Sequence, residues 1–201
     1  SVKLMDLNGQ QRQILRANIQ SLTGLGRSLM PEGFEQVFND QQLAHLIAHI
    51  NASAIPPKSF PGNKPKLVSE ENDSLTLTAS NAEIYGDSLM FEEKHRNLGF
   101  WRALNDRAAW SIKTKQAGVY DVHLNWALDG KAKANRIQLR IGQNEIVHAV
   151  DSTGTWDQYR SIHIGTVELD EGEQRAIMQA ITPISGFVID LKSVKLTRKN
   201  N

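Results

Sequence analysis

Cysteine is absent from this 201-residue sequence. That absence excludes disulfides, thiolate metal sites, a covalently attached c-type haem and a cysteine nucleophile within the chain. It leaves the compartment open, because a cysteine-free domain folds equally well in reducing or oxidising surroundings. An excess of one charge is missing too: 23 Lys+Arg stand against 22 Asp+Glu, a formal net charge of +1. Nucleic-acid binders concentrate a basic excess on one face, so no nucleic-acid partner is expected. No stretch approaches 18 consecutive apolar residues, so no membrane-spanning helix is expected either. Residues 1–18 are polar and broken by Asn8-Gly9, unlike a signal peptide, and the sequence opens as if in the middle of a longer polypeptide. Enzyme signatures are also lacking: there is no G-x-S-x-G elbow, phosphate loop or dinucleotide fingerprint.

Proline is scarce and clustered. Of six prolines, Pro56, Pro57, Pro61 and Pro65 fall in one short stretch. Proline fixes φ and lacks a backbone donor, so this stretch suits neither a helix interior nor a sheet centre. It reads as an extended linker, 53–66, between a first piece, 1–52, and a second, 67–201. In the first piece, Val2–Leu7 and Arg12–Ile19 flank Asn8-Gly9-Gln10 and predict a hairpin. Asp40 is the expected N-cap of a helix over Gln41–Ile50, with Leu43, Leu46, Ile47 and Ile50 as its apolar stripe. A hairpin and one short helix bury little area, so this α+β piece is expected to lean on further structure.

The second piece reads as strands throughout. Candidates are Leu75–Thr78, Ala82–Tyr85, Ser88–Phe91, Ala108–Lys113, Val119–Trp126, Arg136–Ile141, Glu145–Val150, Tyr159–Leu169, Gln174–Ile181 and Phe187–Leu196. Turn signals such as Asp129-Gly130 and Asp170-Glu171-Gly172 separate them. In Val119–Trp126 the residues Tyr120, Val122, Leu124 and Trp126 share one face, and Asp121, His123 and Asn125 the other. The expected class is therefore mainly β, a jelly-roll β-sandwich.

Candidate chemistry is sparse. His45 and His49 have a helical i, i+4 spacing that can bind zinc, but Leu46 stands where a catalytic glutamate would follow the first histidine, so surface histidines are expected instead. Glu83, Asp87, Glu92, Glu93, Asp106, Asp121 and Asp157 are carboxylates near strand ends or turns, and glycoside hydrolysis would need two of them facing across a sugar. Trp110 and Trp126 lie in alternating strands and are expected in the core. Trp101 and Trp156 sit in polar loops, where a large flat ring can stack on the C–H face of a sugar.

Residues 75–197 resemble galactose-binding-like jelly rolls, in particular carbohydrate-binding modules of families six and thirty-five. The resemblance rests on Leu77-Thr78-Ala79-Ser80-Asn81-Ala82-Glu83-Ile84-Tyr85-Gly86, Asn97-Leu98-Gly99-Phe100-Trp101, Asn105-Asp106-Arg107-Ala108-Ala109-Trp110, Ser152-Thr153-Gly154-Thr155-Trp156-Asp157-Gln158-Tyr159 and Phe187-Val188-Ile189-Asp190-Leu191. It implies a non-catalytic module with one sugar site in the loops at one end, held by Phe100 and Trp156 with Trp101 and Asp157 beside them. Val188 stands where the family often places a hydroxyl-reading Asn. Many relatives hold a structural calcium; at the matching positions this chain keeps Asp190 but has Thr78 and Ser80, so no calcium is expected. Some relatives bind on a concave sheet face, for which Asp121, His123, Asn125, Gln138 and Arg140 are the candidates. Residues 1–50 resemble the end of a cytochrome c-like domain in large secreted planctomycete-type proteins, on Ser28-Leu29-Met30-Pro31-Glu32-Gly33-Phe34-Glu35 and the helix after it. Its C-x-x-C-H motif is absent, so no haem is expected.

The expected function is a non-catalytic carbohydrate-binding module at the C-terminus of a larger secreted or periplasmic polypeptide, with an oligosaccharide or polysaccharide and the rest of that polypeptide as partners. Two alternatives stay open: a fragment of a glycosidase or sugar-oxidising enzyme, and a structural spacer with no sugar site.

Overall fold

Alternation decides which way the long strands face. Tyr120, Val122, Leu124 and Trp126 are all buried, while Asp121, His123 and Asn125 between them are partly exposed. In the computed structural model, which describes residues 1–5, 10–21, 23, 38–52, 55–130, 135–181 and 183–199, the chain divides into two units, Ser1–Ala54 and Ile55–Asn201.

The first unit contains an antiparallel hairpin, β1 (Val2–Met5) with β2 (Gln11–Ile14), registered Val2 to Ile14 and Met5 to Gln11. Strand β2 is shorter than the sequence suggests, because Arg16–Asn18 turns into a 3-10 helix. The Asn8-Gly9 turn, Met30 and Pro31 lie outside the described residues. Helix α1 spans Asp40–Ala52. Its cap is Asn39 rather than the expected Asp40. The Asn39 side chain accepts from the Gln42 N–H at 2.9 Å, and the Gln42 side chain accepts from the Asn39 N–H at 3.1 Å, a reciprocal box that satisfies two free donors. Leu43 and Leu46 are half-buried, but Ile47 is exposed, as is His45. Among the described residues no helix is long and apolar enough to cross a membrane.

The second unit begins with the proline-rich stretch. Read as a linker, it is extended but anchored to the sandwich. The Lys58 N–H donates to the Ile84 carbonyl at 2.7 Å, Asn63 Nδ2 donates to the carbonyls of Ser80 and Ala82, and the Phe60 ring packs on the core. The strands follow: β3 (Val68–Ser69), β4 (Ser74–Thr78), β5 (Glu83–Tyr85), β6 (Met90–Glu92), β7 (Asn97–Gly99), β8 (Arg107–Thr114), β9 (Gly118–Ala127), β10 (Asn135–Ile141), β11 (Asn144–Val150), β12 (Arg160–Leu169), β13 (Gly172–Ile181) and β14 (Asp190–Arg198).

They form two sheets of a jelly-roll sandwich, the fold class the alternation predicts. One sheet runs β11-β10-β13-β8-β3 with β5 also on β8; the other runs β12-β9-β14-β7-β6 with β4 also on β14. Only β3 with β8 is parallel among the pairs described. Inward residues of both sheets, from Leu75 and Trp110 to Leu139, Met178 and Leu196, share one core. Two of the large buried indoles keep a hydrogen bond. Trp110 Nε1 donates to the Thr78 carbonyl at 2.9 Å and Trp126 Nε1 to the Asp151 carbonyl at 3.1 Å.

One loop carries an unusual restraint. The buried Asp106 carboxylate accepts from the backbone N–H groups of Ser88 (2.8 Å), Leu89 (3.0 Å), Ala103 (2.9 Å) and Arg102 (3.2 Å), and from the Ser88 hydroxyl. Burial pushes this carboxyl up, but its donors outweigh that and hold it below the usual aspartate range. Gly86, at φ +95°, closes the same loop, and a Cβ there would lie 2.5 Å from the Asn105 carbonyl oxygen.

Truncating Trp110 to Ala is expected to cost about 3–5 kcal/mol in urea unfolding, from lost burial and the cavity left behind. An effect under about 1 kcal/mol at unchanged m-value would show that this ring is not a core element.

Candidate functional site

Loops preceding β8, β12 and β14 converge, with the β6–β7 turn, on a cavity of about 260 Å³. Its apolar wall is aromatic. Phe187 stands between Phe100 and Trp156, edge-to-face with both at centroid distances of 6.1 and 6.3 Å. Tyr159 completes this wall, and Glu92, His95, Asp157 and Asp190 supply the polar one.

Each wall has a local cause. Phe100 is a non-glycine residue at φ 59°, in the left-handed region that L side chains rarely adopt. This reversal leaves Phe100 49% exposed while Trp101 next to it is 0% exposed. The Trp156 loop is laced to the end of β9: Thr153 N–H donates to the Leu128 carbonyl, Leu128 N–H to Thr153 Oγ1, and Gly130 N–H to the Gly154 carbonyl. Phe187 is held by Asn135, whose Nδ2 donates to the carbonyls of Ser185 and Phe187 at 3.0 and 3.1 Å. Strand β14 starts at Asp190 rather than Phe187, so Phe187 escapes the sheet's alternation and faces the cavity.

The polar wall is crowded with negative charge. A Cβ on Gly99 would touch both Glu92 Oε2 and Asp190 Oδ1, so glycine is what lets these carboxylates sit beside each other across β7. Glu92 accepts from Asn97 Nδ2 at 3.0 Å, and among the described residues Glu92, Asp157 and Asp190 form no ion pair. Burial, then the charges of Glu92 and Asp157, push the Asp190 carboxyl up to about 7. Burial and the same three carboxylates push the Tyr159 phenol up to about 12. Nearby cations are turned to other partners. Lys192 Nζ donates to the His95 carbonyl at 2.6 Å and lies over the Tyr159 ring, and the Arg102 guanidinium lies over Phe187.

Of the loop candidates, the structure brings Phe100, Trp156 and Asp157 together and removes Trp101. Trp101 is a core residue, with its Nε1 unpartnered and its carbonyl accepting from the Val188 N–H at 2.8 Å. Val188 is itself fully buried and cannot reach a ligand. The alternative face does not exist as one surface. Asp121, His123 and Asn125 are on β9, whereas Gln138 and Arg140 are on β10 in the other sheet. All five alternate with core residues, so the two groups point outward from opposite sheets. Asp121 there contacts His163 and Lys199 at 3.1 and 3.2 Å, and Gln138 accepts from Gln179 at 2.8 Å.

Among the other carboxylate candidates, Glu83 is bound bidentately by Arg175 at 2.6 and 2.8 Å, and only Glu92 and Asp157 reach the cavity. The calcium positions are split. Asp190 belongs to the aromatic cavity, while the Thr78 and Ser80 hydroxyls bond each other at 3.0 Å in a separate groove with Lys64, Lys66 and Arg96. Among the described residues no group of three or more His, Asp or Glu could hold a metal. Sequence reasoning missed Tyr159, Phe187, Glu92 and His95 as a set. Tyr159, three residues after Trp156, was the available hint.

No family model matches this chain, and no curated protein does. Solved structures do. A family 35 carbohydrate-binding module from Clostridium thermocellum matches 63% of this chain and 98% of its own, with 16% identity and TM-score 0.53. A Podospora anserina GH26-CBM35 β-(1,4)-mannanase matches 65% of this chain but 29% of its own, with 15% identity and TM-score 0.50. The mosquito-larvicidal Cry4Aa toxin of Bacillus thuringiensis matches 68% of this chain and 25% of its own, with 12% identity and TM-score 0.54. These likenesses show the jelly-roll fold.

Asp190 makes stability pH-dependent with an unusual sign. Its folded carboxyl titrates near 7, above the unfolded value of about 3.9, so the folded state holds the extra proton between those limits. Stability is therefore lost as pH rises from about 4 through 7. Asp190→Asn is expected to unfold later in urea at about pH 8, by roughly 1–2 kcal/mol after discounting for solvent screening. The gain should disappear at about pH 4. A pH-independent difference would remove Asp190 as its source.

Proposed function

We propose that residues 55–201 form a non-catalytic carbohydrate-binding module that holds one pyranose ring of an oligosaccharide or polysaccharide in the aromatic cavity. The observation that carries this reading is Phe100: an aromatic ring kept half-exposed by a strained left-handed backbone, edge-to-face with Phe187 and opposite Trp156. Such strain costs about 1–3 kcal/mol, and the Phe100 ring itself stays outside the core. A ligand that stacks its C–H face on the ring gives that cost a purpose. A cavity of about 260 Å³ is small for a ligand pocket and suits a single sugar ring.

Binding rather than hydrolysis is favoured by where the carboxylates sit. Glu92 and Asp190 lie side by side on strands flanking β7, whereas hydrolysis needs two groups on opposite sides of the scissile bond. The wider context is part of the same proposal. The module serves a larger secreted or periplasmic polypeptide, as the family 35 module serves the mannanase, and residues 1–52 are the haem-free end of a cytochrome c-like domain. The resemblance around Met30-Pro31 supports that last assignment.

A glycan array followed by calorimetry on the full chain tests the reading. Affinity from a few rings and hydrogen bonds should fall at about 10 μM to 1 mM, or about 4–7 kcal/mol. Trp156→Ala is expected to abolish binding while costing about 1–2 kcal/mol of stability, since that ring is only partly packed on the core. Phe100→Gly should weaken binding at least tenfold and hold or raise the melting temperature, because glycine relieves the left-handed φ. Trp101→Ala should behave oppositely, unfolding the domain. Unchanged sugar affinity in both Trp156→Ala and Phe100→Gly would leave the structural-spacer reading standing.

A further inference from the structure

The cavity's charge is not that of the molecule around it. The whole chain is close to neutral at +1, yet Glu92, Asp157 and Asp190 all border one small cavity and none has an ion-pair partner among the described residues. The basic groups within reach do not neutralise them. Lys192 and Arg102 are held on the Tyr159 and Phe187 rings, and His95 and Tyr159 are the other titratable groups that line the cavity with the carboxylates. Among the described residues the Asp190 side chain makes no hydrogen bond, and burial, then the charges of Glu92 and Asp157, raise its pKa. Like charges brought together this way destabilise the empty protein. The arrangement gains if the ligand brings the missing positive charge.

Resting on the carbohydrate-site reading above, we propose that the sugar is cationic: an amino sugar with a free ammonium group, such as a de-N-acetylated glucosamine unit. Its ammonium donates to Asp190 and Asp157, and its C–H face lies on Trp156 and Phe100. The rings support the same charge, because a cation near an aromatic face is attracted by the ring quadrupole. A uronate is excluded by the same geometry, since it would add a fourth carboxylate to three. A neutral sugar meets the rings and loses the ion pairs. An N-acetylated sugar also loses the charge, and its acetyl group brings a carbonyl acceptor against carboxylate acceptors.

Titration of the full chain at about pH 6, followed by calorimetry and protein-observed NMR, separates these cases. The probes are glucosamine tetramer, N-acetylglucosamine tetramer, a glucuronate oligomer and, as a non-sugar cation, ethylammonium. The glucosamine tetramer is expected to bind at least tenfold more tightly than its acetylated form, with no glucuronate binding and much weaker ethylammonium binding. The preference should shrink on moving from low to about 1 M salt, because screening weakens the ion pairs. Binding should also release up to one proton, measured in two buffers of different ionisation heat, since a cation beside Asp190 drives off the proton that the cluster retains. Asp157→Asn should lower the ratio of the two tetramer affinities.

Equal affinity for both tetramers, or preference for the uronate, overturns the cationic assignment while leaving a sugar site. Ethylammonium binding as tight as the amino sugar's overturns it in favour of a simple cation pocket. Failure of all three sugars, together with an empty glycan array, overturns both this inference and the carbohydrate reading beneath it.

Discussion

A buried carboxylate cannot keep its charge without replacing the water it has lost, and Asp106 replaces it with the loop that surrounds it. Backbone N–H groups from Ser88, Leu89, Arg102 and Ala103 all converge on one side chain. Each is a donor that would otherwise need a strand partner or water. The segment from Gly86 to Asp106 is thereby closed on itself, with no room for a side chain at Gly86. Inside that closed segment the chain must reverse sharply after Gly99. The reversal sends Trp101 into the core and Phe100 out to the cavity. The donors that hold Asp106 thus bracket the turn at which one of two adjacent aromatic residues enters the core and the other faces solvent.

Several departures from folding economy lie around the same cavity. Phe100 holds a left-handed backbone, Glu92 and Asp190 sit together where only a glycine intervenes, and Trp156 and Phe187 leave apolar area exposed. Elsewhere in the sandwich the inward residues are apolar, and the Trp110 and Trp126 indoles are hydrogen-bonded. Local violations clustered in one concavity are the pattern expected of a site whose stability has been traded for a ligand. The fold itself carries no such information. The same architecture occurs in a carbohydrate-binding module and in a larvicidal toxin, so function rests on the side chains of the cavity.

Much of the sandwich was legible before any coordinates, and the reason is that an alternating strand states its own orientation. All ten candidate strands are present, and Tyr120, Val122, Leu124 and Trp126 face the core as their period requires. The strands missed are Val68–Ser69 and Asn97–Gly99, of two and three residues, too short to show a period. The second also contains Asn and Gly, residues depleted from strands, and so reads as a loop. The helix cap fell one residue early, on Asn39, because adjacent Asn and Asp are equally good caps and only the reciprocal bond to Gln42 distinguishes them.

What the sequence determined by itself was local: which segments are strands, which faces of them are apolar, and that a loop cluster carries aromatic residues. Period reports inside against outside, but not which sheet a strand joins, so Gln138 and Arg140 were grouped with Asp121 although they lie on the opposite sheet. Phe100 and Trp101 were both candidates, and the positive φ of Phe100 accompanies one ring half-exposed and the next buried. The gathering of Glu92, Asp157 and Asp190 joins the ends of two strands and a loop that are far apart in the chain. Electrostatic fields act through space over a few ångströms, and only the packed tertiary structure decides which charges are that near.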